Sequence, residues 1–225
     1  GGDGHRLNNY AKNKKTLTGR ATNIAMAMAL ASSEVNASMG KIVACPTAGS
    51  CGILPAVILA AGEVLELSED EMINGLLAAS AVGMIIGMNA TLSGAEGGCQ
   101  AECGSASAMG AAAVVELMGG TPKMSLDAGS IILQNVLGLV CDPVAGLVEI
   151  PCAKRNAQGA ITALCTADMV MAGVEAKIPF DDAVEAMYKV GKSLPSALRE
   201  TAMGGVAATK EGLRLKEKVF GKNNE

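Results

Sequence analysis

Apolar residues that are nearly all small or flexible, with almost nothing aromatic among them, are the main constraint this sequence places on its fold. Only 2% of the 225 residues are aromatic, against 28 glycines and 13 methionines, although 50% of the chain is hydrophobic. A core of Ala, Leu, Ile, Val and Met lets helices approach closely. It lacks the aromatic and β-branched enrichment that strands favour. The expected fold is therefore all-α: one compact multi-helix domain over residues 1–225, with a loop-rich lead-in at 1–19, a helical core at 20–225, and Gly/Pro-rich loops that converge on a site.

The charge balance excludes one class of partner. A net charge of −4 and a pI near 5.2 leave no basic stripe to neutralise phosphates, so no nucleic-acid partner is expected. The mean hydropathy of +0.34 raises the question of membrane insertion. The longest apolar runs, Ile53–Gly62 and Leu76–Asn89, are shorter than the roughly 20 residues a spanning helix needs. The apolar excess is assigned instead to the core and a subunit interface, so an oligomer and no membrane span are expected. Seven cysteines, an odd number, with no secretory signal at the start point to a reducing cytoplasm. The opening Gly1-Gly2-Asp3-Gly4 reads as the interior of a longer polypeptide.

Punctuation along the chain marks the helices. A helix is predicted from Ala21 to about Ala37, ended by Gly40. A second begins near Leu54-Pro55, and Ser68-Glu69-Asp70-Glu71 has the form of a capping box opening a third, to about Met88. Further helices are expected over about Gly104–Met118, Ser125–Leu139, Lys154–Ala172 and Phe180–Val190. Two shorter segments follow, at Leu194–Ala202 and Thr209–Val219.

Chemistry gathers in two places. The turn Pro46-Thr47-Ala48-Gly49-Ser50 precedes a helix, so its hydroxyls and backbone N–H groups suit a carboxylate, although the same residues also serve ordinary helix capping. Cys99, Cys141 and Cys152 each lie beside Gly or Pro and should sit on loops or turns. Gaps of 42 and 11 residues do not match the short spacing of zinc ribbons, and the only histidine, His5, is remote in sequence. Three such thiolates could hold three irons of a cubane cluster and leave the fourth open as a Lewis acid. They could equally be small buried hydrophobes. Cys103 and Cys165, in apolar helical runs, are read that way, and Cys45 and Cys51 as neighbours of the turn.

Five ordered motifs carry a family resemblance: Val35-Asn36-Ala37-Ser38-Met39-Gly40, Ala44-Cys45-Pro46-Thr47-Ala48-Gly49-Ser50-Cys51-Gly52, Ser93-Gly94-Ala95-Glu96-Gly97-Gly98-Cys99-Gln100, Cys141-Asp142-Pro143-Val144-Ala145-Gly146 and Pro151-Cys152-Ala153-Lys154-Arg155-Asn156. With Arg199-Glu200-Thr201-Ala202-Met203-Gly204-Gly205, they resemble the catalytic α chain of bacterial iron–sulfur L-serine dehydratase over nearly all of the chain. The resemblance implies an all-helical domain and a 4Fe–4S cluster on Cys99, Cys141 and Cys152. It implies conversion of L-serine to pyruvate and ammonia without pyridoxal phosphate. On this basis Thr47, Gly49 and Ser50 are candidates for the substrate carboxylate, and Ser93 and Gly94 for further substrate contacts. The base is left open among His5, Lys41, Glu96, Lys154 and a histidine of a β subunit or β domain. A terminal cysteine that caps the site in some relatives has no counterpart in Gly221–Glu225. A lyase for threonine or cysteine, or a non-catalytic helical interaction module, are the alternatives.

Overall fold

The computed structural model describes residues 1–221, and the rest of the polar, cysteine-free C-terminus, Lys222–Glu225, lies outside the described residues. Its helices, in chain order, are α1 (Asp3–Asn13), α2 (Gly19–Ala37), α3 (Ile53–Leu65), α4 (Glu69–Asn89), the single turn α5 (Gly94–Gly97), α6 (Ser105–Leu117), α7 (Pro122–Val136), α8 (Cys152–Met171), α9 (Phe180–Ser193) and α10 (Lys210–Phe220). Short 3₁₀ turns and one π turn join them. Among the described residues no β-strand occurs, and the only strand-like pairing is an isolated bridge between Cys141 and Arg199. The chain is all-α.

α6 is the hub. Every residue from Ser105 to Val115 is buried, and α3, α4, α7 and α8 pack around it. Its run of Ala and Gly explains how so many neighbours fit, because small side chains let helix backbones come close. The contact with α8 is close enough that a Cβ on Gly159 would stand 2.6 Å from Ser107 Oγ and 2.7 Å from Ile53 Cδ1. Around this thin hub the volume is filled by Ile53, Val57, Ile86, Val115, Ile132 and Leu133, all essentially inaccessible to solvent. Burying each such side chain contributes about 1.5–3 kcal/mol.

Local signals set several helix ends. Ser68 Oγ accepts the Glu71 N–H at 3.3 Å while Glu71 Oε2 accepts the Ser68 N–H at 2.8 Å, the reciprocal cap that opens α4. Two boundaries differ from expectation. Gly40 does not itself take the left-handed position after α2; Met39 does, at φ 61°, and the Gly40 N–H closes on Val35 O at 2.8 Å. A Cβ on Gly40 would meet Val35 Cγ1 at 2.7 Å, which is why glycine stands there. α7 begins at Pro122, three residues before the expected Ser125, with Thr121 Oγ1 accepting the Met124 N–H at 3.3 Å and Pro122 in the first turn.

The lead-in at 1–19 is not loop-rich, because Asp3–Asn13 form α1. Its polar sequence gives little helix drive of its own, and docking supplies the rest. Gly4 is buried against α2, where a Cβ would lie 2.8 Å from Ala27 O. Glu34 of α2 accepts the Asp3 N–H, and Lys154 of α8 reaches Asp3 Oδ2 at 2.6 Å.

α4 also departs from the reading of its apolar run. The helix is 21 residues long, so by length and composition it and the stretch Ala48–Leu65 could each cross a membrane. One stripe of α4, Gly75, Ala79, Val82, Gly83 and Ile86, is buried against the hub. Its outer face exposes Ile73, Leu76, Leu77, Met84 and Met88.

Candidate active site

The turn before α3 is held from several sides. Thr47 caps the short 3₁₀ turn Ala48–Ser50, and the Thr47 and Ser50 hydroxyls meet at 3.0 Å. Ser50 is fully buried and braces the turn, whereas Thr47 is half-buried and its side chain lies near enough to Glu102 to help hold that carboxyl down. The Ala48 carbonyl accepts from Asn36 Nδ2 of α2 at 3.0 Å. The Gly49 carbonyl accepts from Asn156 Nδ2 of α8 at 2.8 Å. The Cys45–Pro46 peptide leading into the turn is cis.

A second stretch folds over from α5. Ser93 is half-buried and its carbonyl accepts the N–H groups of Glu96 and Gly97, closing that single turn. Gly98 follows at φ 78°, and Cys99 opens the π turn Gln100–Gly104. Such turns are rare and recur at functional sites because the wider loop redirects side chains. Here it carries Glu102. Gly94 lies so close that a Cβ there would stand 2.8 Å from Glu102 Oε2 and 3.0 Å from Cys141 Sγ. Glycine at 94 thus keeps clear a space beside both groups. Gln100, fully buried, ties the stretch down: Nε2 donates to Gly97 O and Met187 O, each at 2.9 Å, and Oε1 accepts the Gly138 N–H at 2.9 Å.

Cys141 and Cys152 arrive from a third side. The Cys141 N–H donates to Leu198 O at 2.9 Å and its carbonyl accepts the Glu200 N–H at 2.7 Å, so the Arg199–Gly205 motif lies alongside it. Asp142, 2% exposed, pairs with Arg155 at 2.9 Å, and Oδ2 accepts the Val206 N–H at 2.6 Å. Arg155 also donates to Val140 O at 2.8 Å. This buried pair pins the Cys141 loop to α8, whose first residue is Cys152; removing one partner of such a pair typically costs about 3–5 kcal/mol.

Electrostatics show that the three thiols share one neighbourhood. Burial, followed by the charge of Glu102 and of the other two cysteines, pushes the Cys141 thiol well up, and burial and Cys99 push Cys152 up to about 12. Cys99 goes the other way. The neighbouring Cys103 thiol and the positive charge of the Arg155 guanidinium favour its ionised form, so of the three it is the most readily ionised. Burial and then the charge of Glu200 raise Glu102 to about 7, while Thr47, the Gly94 N–H and the Cys141 thiol hold it down. Cys141 Sγ lies 3.9 Å from Glu102 Oε2.

Among the described residues no three His, Cys, Asp or Glu side chains stand close enough to bind a single ion. Cys99, Cys141 and Cys152 are nevertheless all free, buried and within electrostatic reach of one another. Three thiolates cannot ionise together there unless a strong positive charge is supplied, and a polynuclear metal group does that while holding its thiolates farther apart than one ion does.

Other expected participants lie elsewhere. His5 is exposed on α1, where Asn9 Nδ2 lies 2.8 Å from its Nε2, and it lines a groove between α1 and α2 that contains none of the site residues. Lys41 and Glu96 are exposed, and Lys154 is bound to Asp3 on the surface. Cys165 is exposed, not buried, because it falls on the outer face of α8. Cys103 is buried as expected, and its free thiol lies beside Cys99 and lowers that thiol, so it belongs to the site's surroundings. Cys45 Sγ faces Cys51 O at 3.5 Å, and burial raises it to about 11. Glu102 is the residue sequence reasoning missed. The signal was present: it is the only charged residue between Glu96 and Glu116.

The chain is similar to known proteins over most of its length. The L-serine dehydratase alpha chain of Peptoniphilus asaccharolyticus is 54% identical over 211 residues, covering 94% of this chain and 72% of that protein. A Bacillus subtilis (strain 168) protein named "Probable L-serine dehydratase, alpha chain" is 52% identical over 221 residues, 98% of this chain and 74% of that one. The L-serine dehydratase TdcG of Escherichia coli (strain K12) is 45% identical over 181 residues, 80% of this chain but 40% of the longer protein. A family profile described as serine dehydratase alpha chain matches residues 1–207, and the chain belongs to that family.

Proposed function

We propose that this chain is the catalytic α chain of an L-serine dehydratase, converting L-serine to pyruvate and ammonia with a 4Fe–4S cluster held by Cys99, Cys141 and Cys152. The observation that supports the reading is that Glu102 lies against Gly94, Cys141 and the Gly49 backbone of the Thr47–Ser50 turn, with the buried free thiols of Cys99 and Cys152 within electrostatic reach of Cys141. When bound, the cluster supplies a Lewis acid that takes up the negative charge growing on the departing hydroxyl.

The chain's own groups do the rest. Thr47 and the backbone around Gly49, with Ser50 bracing the turn, hold the substrate carboxylate, and Ser93 and Gly94 line the opposite side. Glu102 takes the α-proton. Asp142 is committed to Arg155 and the Val206 N–H, which leaves Glu102 as the carboxylate that faces both the turn and Cys141. Loss of the α-proton and of the hydroxyl as water gives aminoacrylate. That product tautomerises and is hydrolysed to pyruvate and ammonia. A rigidly held amino acid with the base over its α-carbon is what such a weak carbon acid requires.

A β partner completes the enzyme, and the exposed apolar face of α4 supports an association surface. The test is anaerobic iron and sulfide analysis of the chain with its partner, together with product analysis. Pyruvate from L-serine is expected, in preference to 2-oxobutanoate from threonine or sulfide from cysteine. Cys99→Ala, Cys141→Ala and Cys152→Ala should each abolish turnover and lower iron content, and Cys165→Ala should change neither. Full activity in any of the first three variants removes that residue from the ligand set.

A further inference from the structure

Asn156 is wholly buried one turn into α8, four residues after Cys152. Its side-chain amide joins three pieces of backbone. Nδ2 donates to Gly49 O at 2.8 Å and to Cys152 O at 2.9 Å, and Oδ1 accepts the Gly52 N–H at 2.9 Å. One planar group therefore fixes the turn that carries Thr47 and Gly49, the start of α3, and the start of α8. An apolar side chain of the same size would fill the space and leave the Gly52 N–H unpaired in the interior.

The consequence reaches the site through Gly49. A Cβ at that position would come within 3.3 Å of Glu102 Oε2 and 3.5 Å of Val148 Cγ1, so the turn backbone already lies against the carboxylate. A small shift of the Gly49 carbonyl changes the gap between the turn and Glu102. We propose that Asn156 is a positioning residue that sets the spacing between the carboxylate-holding turn and the Cys152 end of α8, and through it the affinity for the amino-acid substrate. The inference rests on the dehydratase reading and adds a residue that touches neither substrate nor metal.

The geometry selects the variant. In Asn156→Asp, one oxygen still accepts the Gly52 N–H, while the other faces the Gly49 and Cys152 carbonyls it can no longer bond. The turn is pushed away while the volume is unchanged. Residues that orient a site's primary groups typically carry about 10- to 100-fold effects. The KM for L-serine should rise by about that much, with kcat and iron per chain close to wild type.

The experiment compares wild type, Asn156→Asp and Asn156→Ser, each assembled anaerobically with its partner. It measures L-serine kinetics, iron content, melting temperature and amide hydrogen exchange over residues 47–52. Raised KM at wild-type iron content in either folded variant supports the proposal, as does slowed exchange at residues 49–52 when L-serine is added to wild type. A lowered melting temperature with unchanged KM overturns it, because the role is then structural. Loss of iron and activity at unchanged KM also overturns it, since only the metal side is then served. If neither variant folds, wild-type exchange that ignores L-serine overturns it alone. Iron-loaded wild type that does not turn over L-serine sinks the dehydratase reading itself, an outcome distinct from these.

Discussion

At the scale of single residues, the site divides into groups whose local sequence betrays them and groups that only packing reveals. Cys99, Cys141 and Cys152 were legible because Gly or Pro beside each one argues against a helix interior, and cysteines at turns invite a metal reading. Glu102, Asn156 and Gln100 were not singled out. A Glu, an Asn and a Gln inside helical runs look the same whether they face water or a buried amide network, and that choice is made by distant segments. Glu102→Gln should lower kcat by about 10²–10⁴-fold, the usual worth of a positioned proton acceptor, with iron content unchanged. Steady-state kinetics beside iron analysis checks it, and near-normal kcat would return the base to another group.

Elements show the same split. The capping box at Ser68–Glu71 predicted the start of α4 correctly, since both partners are three residues apart and need nothing else. The π turn Gln100–Gly104 and helix α1 were not predictable in that way. Each exists because neighbours hold it: Gln100 through Met187 and Gly138, α1 through Glu34 and Lys154. α1 gives a pH test. Lys154 and Arg6 hold the Asp3 carboxylate down at about 2, below its ordinary 3.8. A depressed carboxylate stabilises the folded state above its unfolded value, and that contribution disappears as pH falls from about 4 through about 2. The protection of α1 amides relative to their intrinsic exchange rate should therefore fall across that window while α6 stays protected, and Asp3→Asn should lower it already at neutral pH. The tightest helix contact gives another. Gly159→Ala puts a methyl 2.6 Å from Ser107 Oγ and 2.7 Å from Ile53 Cδ1, and overpacking of that kind costs about 1–3 kcal/mol. In a chain of this size each kcal/mol lowers Tm by about 2–4 °C, which calorimetry resolves.

Across the whole molecule, small residues trade side-chain volume for close helix approach, and one long helix is left with an uncovered apolar face. Ile73, Leu77, Met84 and Met88 recur at helical spacing on the outside of α4. Leu77→Glu and Met84→Glu should leave the helix content and Tm of the chain nearly unchanged but prevent co-elution with its partner in size-exclusion chromatography. Unimpaired association would move the partner surface off α4. The sequence by itself determined that this chain is helical and where most helices begin, because composition, caps and Gly/Pro positions act over a few residues; of the three cysteines expected on turns only Cys141 lies outside a helix, since Cys99 leads into the π turn and Cys152 opens α8. Only the tertiary structure decided that Cys99, Cys141 and Cys152 come within electrostatic reach of one another, that Glu102 stands beside Cys141 and the Gly49 backbone, and that His5 lies elsewhere. Those outcomes depend on which segments share one interior, and the energy of a buried charge or amide is fixed by neighbours tens of residues away along the chain.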